Sequence, residues 1–293
     1  MKTAVIIASL GRAAELEQLT AHLVAQTEPA HRIIYSVTEG ADLPPETLLP
    51  ANAEVVFGEK GLPKQRNRGL ERVMFDCDIV VFIDDDYLPS RYMLEGVRRF
   101  FVAHPDCAGA TGYLLADGIN SEGVSYDEAA ALIEEADANP AFDDAVKRDL
   151  NGLYGCNMAY RAEMIGDTRF DECLPLYGWQ EDIDFAASLL PKGRLAKTHA
   201  FWGVHRGVKG ARTSGVKLGY SQVANPFYLM RKGTMSAKYG WKLIAKNVVA
   251  NHYKMFTPEP WVDRAGRCHG NWLALWELLT GRSDPQRILT LRR

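Results

Sequence analysis

Apolar positions in the first hundred residues come as short β-rich runs separated by stretches with helical spacing. Residues 3–8 read as a strand, and residues 13–26 as a helix with apolar positions at Leu16, Leu19, Leu23 and Val24. Residues 33–37 give a second strand and residues 54–57 a third. Pro63, in the first turn that proline favours, opens a helix expected to reach about Phe75. Residues 79–83 are apolar throughout and stop at three aspartates, and a helix is expected from Pro89 to about Ala103. This alternation predicts a mostly parallel sheet with helices on both faces. Ligands of such sheets bind at the carboxyl ends of the strands.

Beyond this point the pattern loosens. Residues 117–150 carry ten Asp+Glu against two Lys+Arg and are rich in alanine, which reads as a solvated helix or an inserted flap. Residues 153–160 form another apolar strand, residues 179–190 a helix with acids in its first turn, and residues 195–204 a strand. From about 215 to 280 the chain reads as helices broken by glycine and proline. The apolar runs are strand-sized, none approaching the ~18 residues of a membrane span, and the amino terminus reads as a strand rather than a secretion signal. Five scattered cysteines without a C-x-x-C pair suit a reducing compartment, so a cytoplasmic location is expected.

Composition narrows the class. The 293 residues are 47% hydrophobic and 24% charged, with 34 Lys+Arg against 37 Asp+Glu and a net charge of −3. That excludes disordered and collagen-like chains and argues against a nucleic-acid partner. The total conceals an asymmetry. Residues 1–184 hold 15 basic and 33 acidic residues, whereas residues 185–258 hold 13 basic residues and no carboxylate.

Four segments carry candidate chemistry. Asp84-Asp85-Asp86 closes a buried strand, where three carboxylates repel one another unless a divalent cation or a helix cap uses them. Alternation points Asp84 and Asp86 to the same side. In Trp179-Gln180-Glu181-Asp182-Ile183-Asp184, one carboxylate is a candidate general base, although a helix dipole alone stabilises acids there. Gly61-Leu62-Pro63-Lys64-Gln65-Arg66-Asn67-Arg68 places cations at a helix start, either near phosphates or on a solvated face. His199 and His205 are core histidines or, beside a carboxylate cluster, metal ligands.

Taken in order, these segments over about residues 1–206 resemble the inverting family-2 glycosyltransferases of the GT-A fold. After the first strand, Ser9-Leu10-Gly11-Arg12 stands where that family carries Thr-Tyr-Asn-Arg, and Glu39 stands where it carries a base-contacting aspartate. Arg66-Asn67-Arg68-Gly69 matches its Arg-Asn-x-Gly, Asp84-Asp85-Asp86 its D-x-D motif, and Glu181-Asp182 its Glu-Asp base motif. The resemblance implies an α/β fold with a mixed, mostly parallel sheet and a helical C-terminal extension. It implies a catalytic domain over residues 1–214, divided near 112 into nucleotide- and acceptor-binding parts, and a helical region over 215–293. It assigns Asp182 as base with Glu181 beside it, and Asp86 and His205 as ligands of Mn²⁺ or Mg²⁺. Asp84 falls at the donor ribose, and Ser9, Arg12, Glu39, Lys64, Arg66 and Asp85 complete the nucleotide site. The expected substrates are a nucleotide sugar, UDP-linked by preference, and a saccharide or lipid-linked acceptor, as in cell-surface polysaccharide or glycolipid assembly. The Gln-x-x-Arg-Trp of processive relatives does not occur, so the resemblance implies that one sugar is added per encounter.

The carboxylate-free stretch adds two expectations. Gly207–Gly215 resembles a loop that closes over a donor diphosphate. The basic helix around 236–255 either packs on the catalytic domain or lies on the inner face of the cytoplasmic membrane. Two other classes stay in play: a sugar-1-phosphate nucleotidyltransferase, which would carry a G-x-G-T-R-type loop, and a non-catalytic nucleotide- or carbohydrate-binding module.

Overall fold

The computed structural model describes residues 1–209 and 214–291. The chain begins with β1 (Thr3–Ala8), α1 (Ala13–Val24), β2 (Arg32–Val37), β3 (Ala53–Phe57), α2 (Leu62–Val73) and β4 (Ile79–Asp84). It continues with β5 (Tyr87–Pro89), α3 (Met93–Ala103), β6 (Cys107–Asp117), α4 (Tyr126–Ala138), β7 (Asp143–Leu150) and β8 (Asn157–Arg161). A short α5 (Ala162–Ile165), then α6 (Glu181–Leu189), β9 (Arg194–His205), α7 (Gly215–Lys232), α8 (Ala237–Lys254) and α9 (Arg264–Leu279) complete it. The described residues divide into two compact units: residues 1–60, 64–169 and 188–209, and residues 61–63, 170–187 and 214–291.

The first unit holds a nine-stranded sheet among the described residues, in the order β3-β2-β1-β4-β8-β6-β9-β5, with β7 also on β9. Strands β3, β2, β1 and β4 run parallel, and β8 turns the sheet antiparallel beside β4. Parallel register aligns Ala8 with both Ser36 and Asp84, so the chain leaves β1, β2 and β4 at the same edge. β4 is apolar on both faces because both are covered: Ile79, Val80, Val81 and Phe82 are fully buried. Against it pack Leu16, Leu19 and Leu23 of α1 and Val97, Phe100 and Phe101 of α3.

The expected helix after Pro89 starts only at Met93, because Tyr87–Pro89 pairs antiparallel with β9 first. α3 then comes unusually close to β9. A Cβ on Gly96 would stand 1.9 Å from the Ala200 carbonyl oxygen, so only glycine fits. Residues 117–150 contain both the expected helix, α4, and a strand, β7.

In the second unit, α7, α8 and α9 surround Tyr220, Val223, Ala224, Ile244 and Ala274. Ser214, Ser236 and Asp263 cap the three helices by accepting from Lys217, Tyr239 and Gly266 backbone N–H groups. Pro226 lies inside α7 without ending it, where burial of Val223, Ala224 and Leu229 outweighs one lost helical hydrogen bond.

Candidate active site

β4 delivers Asp84 at its last residue, and Asp85 and Asp86 follow in the turn to β5. His205 ends β9, where the register sets it beside Tyr87 on one side and Asp117 on the other. One ligand atom each from Asp84, Asp86 and His205 lies within 4.8 Å of the others. Two carboxylates and an imidazole form a donor set suited to Mn²⁺ or Mg²⁺.

The histidine is held from behind. Its Nδ1 lies 2.8 Å from Asp117 Oδ1 and 3.3 Å from the Tyr154 hydroxyl, which donates to Asp117 Oδ2 at 3.2 Å. That leaves Nε2 toward Asp86 Oδ1, 3.5 Å away. Burial works against a charged imidazole, but hydrogen bonds to Asp117 and Asp86 outweigh it and raise His205 to about 10. Asp86 is likewise buried, yet His205 and Arg12 bring its carboxyl down to about 2. A divalent cation would compete with the proton for Nε2.

Asp85 points elsewhere. It accepts from Ser9 Oγ and from Arg12 Nη1, each at 2.8 Å. Burial pushes its carboxyl up to about 7 against the pull of Arg12. Arg12 also reaches Asp86 Oδ2 at 3.2 Å and donates to the Val208 carbonyl at 2.9 Å. Arg66, 2% exposed, donates to Asp84 Oδ1 at 3.0 Å and to the Gly155 carbonyl at 3.1 Å. Val208 N–H donates to Asp86 Oδ2 at 2.8 Å, which draws the start of the Gly207–Gly215 stretch to the triplet. Residues 210–213 of that stretch, Arg212 included, lie outside the described residues.

The expected residues Ser9, Arg12, Arg66, Asp84, Asp85, Asp86 and His205 thus converge. Glu39 and Lys64 do not join them: Glu39 is exposed at the turn after β2, and Lys64 pairs with Glu59. The residue that organises that turn is Asp42. It is 1% exposed and accepts from the backbone N–H groups of Gly11 (2.6 Å), Thr38 (2.9 Å) and Glu39 (3.0 Å). Gln65 ties the same edge together by donating to the carbonyls of Ser9 and Ser36. His199 lies against the Tyr113 ring, 4.5 Å between centroids, as a packed side chain.

In the second unit, Glu181, Asp182 and Asp184 occupy the first turn of α6. The approach is strained: Leu176 and Gln180 have φ of 60° and 74°, a region that non-glycine residues rarely enter. Such strain clusters at functional sites. Asp184 is 1% exposed, accepting from Lys232 Nζ and Thr234 Oγ1 at 2.6 Å each, whereas Asp182 is partly exposed.

The sequence profile of glycosyl transferase family 2 matches residues 4–168, more than half of the chain. No curated protein matches it in sequence. Among solved structures, the mannosyltransferase PcManGT of Pyrobaculum calidifontis, in complex with GDP-Man and Mn²⁺, has a TM-score of 0.57 at 14% identity over 94% of this chain and 87% of that one. TarS 1–349 of S. aureus with UDP-GlcNAc gives 0.54 at 14% identity over 98% and 83%. Glucosyl-3-phosphoglycerate synthase of Mycobacterium tuberculosis, with Mn²⁺, UDP and glucosyl-3-phosphoglycerate, gives 0.53 at 17% identity over 80% and 81%. The chain covers 44% of a longer TarS structure. At these identities the likeness carries the fold, which is the GT-A arrangement of a mixed sheet with flanking helices.

Proposed function

Because the chain belongs to glycosyl transferase family 2 and is a glycosyltransferase, we propose that it moves one sugar, with inversion, from a nucleotide diphosphate to an acceptor hydroxyl. The observation that carries this reading is the convergence of Asp84, Asp86 and His205 at the strand edge where α/β sheets bind ligands. Mn²⁺ or Mg²⁺ held by these three would offset the charge that grows on the departing diphosphate.

The chain's own groups take the remaining roles. Ser9 and Arg12 hold Asp85 and so set the turn that brings Asp84 and Asp86 together beside His205. Arg66 keeps Asp84 in place. Asp182 takes the proton of the attacking hydroxyl at its carboxylate, and Glu181 orients that hydroxyl. Asp184, already engaged by Lys232 and Thr234, anchors the helix that carries them. The hydroxyl oxygen bonds to the anomeric carbon as the bond to the diphosphate oxygen breaks, so a single displacement inverts the centre.

A UDP-sugar donor, a saccharide or lipid-linked acceptor and a place in cell-surface polysaccharide or glycolipid assembly complete the proposal. UDP complexes of TarS and of glucosyl-3-phosphoglycerate synthase support the donor class. A thermal-shift panel of nucleotide sugars with and without Mn²⁺ identifies the donor, and Asp182→Asn then tests the base. The variant is expected to keep the donor-induced shift and to lose transfer by at least a hundredfold. Full transfer by Asp182→Asn overturns the assignment.

A further inference from the structure

We propose that the outer face of α8 and α9 docks on an anionic membrane surface. The second unit displays aromatic side chains that a water-facing surface does not require. Trp241, Trp272 and Trp276 are 47%, 62% and 64% exposed, and Tyr253 and Leu279 are 78% and 81% exposed. Three of the chain's six tryptophans therefore sit in water on two neighbouring helices. Trp272, Trp276 and Leu279 follow i, i+4, i+7 spacing and form one stripe along α9. On α8, Gly240, Ile244 and Asn251 face inward, which turns Lys238, Lys242, Lys246, Val249 and Tyr253 outward. The His252 ring meets Trp272 edge-on at 5.7 Å and joins the two faces.

Charge decides what kind of surface fits. α8 contains no carboxylate, and among the described residues none pairs with Lys238, Lys242 or Lys246. The nearby acids are committed within the unit. Glu259 takes Lys254 and Arg264, Asp263 caps α9, and Glu277 takes Tyr220 and Arg287. The face is thus cationic and aromatic, the composition of helices that lie in a lipid headgroup layer. A second copy of this chain, pressed face to face, would bring two lysine rows together. A nucleic acid is disfavoured because the α8 face carries lysine and no arginine, the residue suited to bidentate phosphate contact. Among the described residues no helix is long and apolar enough to cross a membrane, so the contact is parallel to the bilayer.

The experiment is flotation of the whole protein with phosphatidylcholine vesicles, with and without phosphatidylglycerol, at low and high salt. Binding is expected only with phosphatidylglycerol, weakening as salt rises, with a blue shift of tryptophan fluorescence. Lys238→Ala/Lys242→Ala/Lys246→Ala is expected to lower partitioning about a hundredfold, from roughly fivefold per lysine. Trp272→Ala/Trp276→Ala is expected to reduce the blue shift to the part that Trp241 contributes. These exposed changes should leave the unfolding midpoint and donor turnover without vesicles intact, so the docking reading and the transfer reading fail separately. No binding to phosphatidylglycerol vesicles, binding indifferent to the lysine variant, or a dimer in solution that the tryptophan variant dissolves each overturns the proposal. Retention of a single-stranded oligonucleotide in preference to vesicles overturns it as well.

Discussion

Removing Asp117 tests whether the candidate metal site is built from behind. Asp117 Oδ1 stands 2.8 Å from His205 Nδ1, in a pair whose side chains are 32% and 5% exposed. This bond keeps the imidazole's other nitrogen aimed at the Asp84–Asp86 side. Partners of this kind usually contribute 10–100-fold to metal affinity. Because Asp117 is a third exposed and Tyr154, 3.3 Å from the same nitrogen, can take over part of its role, the lower end applies. Asp117→Ala should therefore weaken Mn²⁺ about tenfold, or about 1.4 kcal/mol. Asp117→Asn keeps an acceptor oxygen and loses only the charge assistance, which is about half of such a bond, so about threefold is expected. Calorimetric titration of Mn²⁺ into the donor-free enzyme measures both, with His205→Ala as the reference for a lost ligand. The reasoning fails if Asp117→Ala binds Mn²⁺ within twofold of the parent, or if Asn proves worse than Ala.

Three further outcomes follow from the geometry. Arg12→Ala leaves Asp85 buried with Ser9 alone and should cost about 3 kcal/mol in urea denaturation; a loss under 1 kcal/mol would mean Asp85 simply takes up a proton. Gly96→Ala gains about 1 kcal/mol of helix propensity yet drives a Cβ into the Ala200 carbonyl, so a net loss of about 1–3 kcal/mol is expected, and a raised melting temperature refutes the close approach. Gln180→Gly relieves a φ of 74° at an entropic cost of about 1 kcal/mol, so it should be at least as stable as the parent while transferring sugar more slowly. Gln180→Val should be clearly less stable, and the reverse order of the two variants would show that the turn is unstrained.

β1 and β4 could be read from sequence because each is an apolar, buried run, and β1 is followed by a helix with clear spacing. β6 and β7 could not, for opposite reasons. β6 carries glycines, which weaken a strand pattern, yet they are required: a Cβ on Gly112 would meet the Phe201 ring at 2.4 Å. β7, Asp-Asp-Ala-Val-Lys-Arg-Asp-Leu, has charged residues over an exposed face and gains its strand form from pairing with β9. The aspartate triplet was legible because three carboxylates after a buried strand are costly without a purpose. Asp117, Tyr154 and Asp42 were not legible, since each looks like an ordinary polar residue of a turn or loop. Asp117 becomes part of the site only through the β6–β9 register, which spans 88 positions.

Register also changes what the charge asymmetry means. By sequence the carboxylate-free stretch from 185 to 258 looks like one cationic block awaiting one anion. In the fold, the cations nearest the aspartates hold the chain. Arg206 donates to Gln18 Oε1 at 2.6 Å and to the Val124 carbonyl, and Lys209 donates to the carbonyls of Gly118 and Ile119. Arg12 and Arg66, which stand next to the triplet, come from the acidic part of the sequence. Among the described residues Lys254 of α8 pairs with Glu259, whereas Lys238, Lys242 and Lys246 have no such partner. Two distances along the chain therefore carry two separate consequences. At the strand edge, cations and carboxylates are balanced closely enough for one more divalent charge to alter the balance. On α8, no carboxylate among the described residues offsets Lys238, Lys242 and Lys246, and that imbalance is the ground for the proposed docking on an anionic surface.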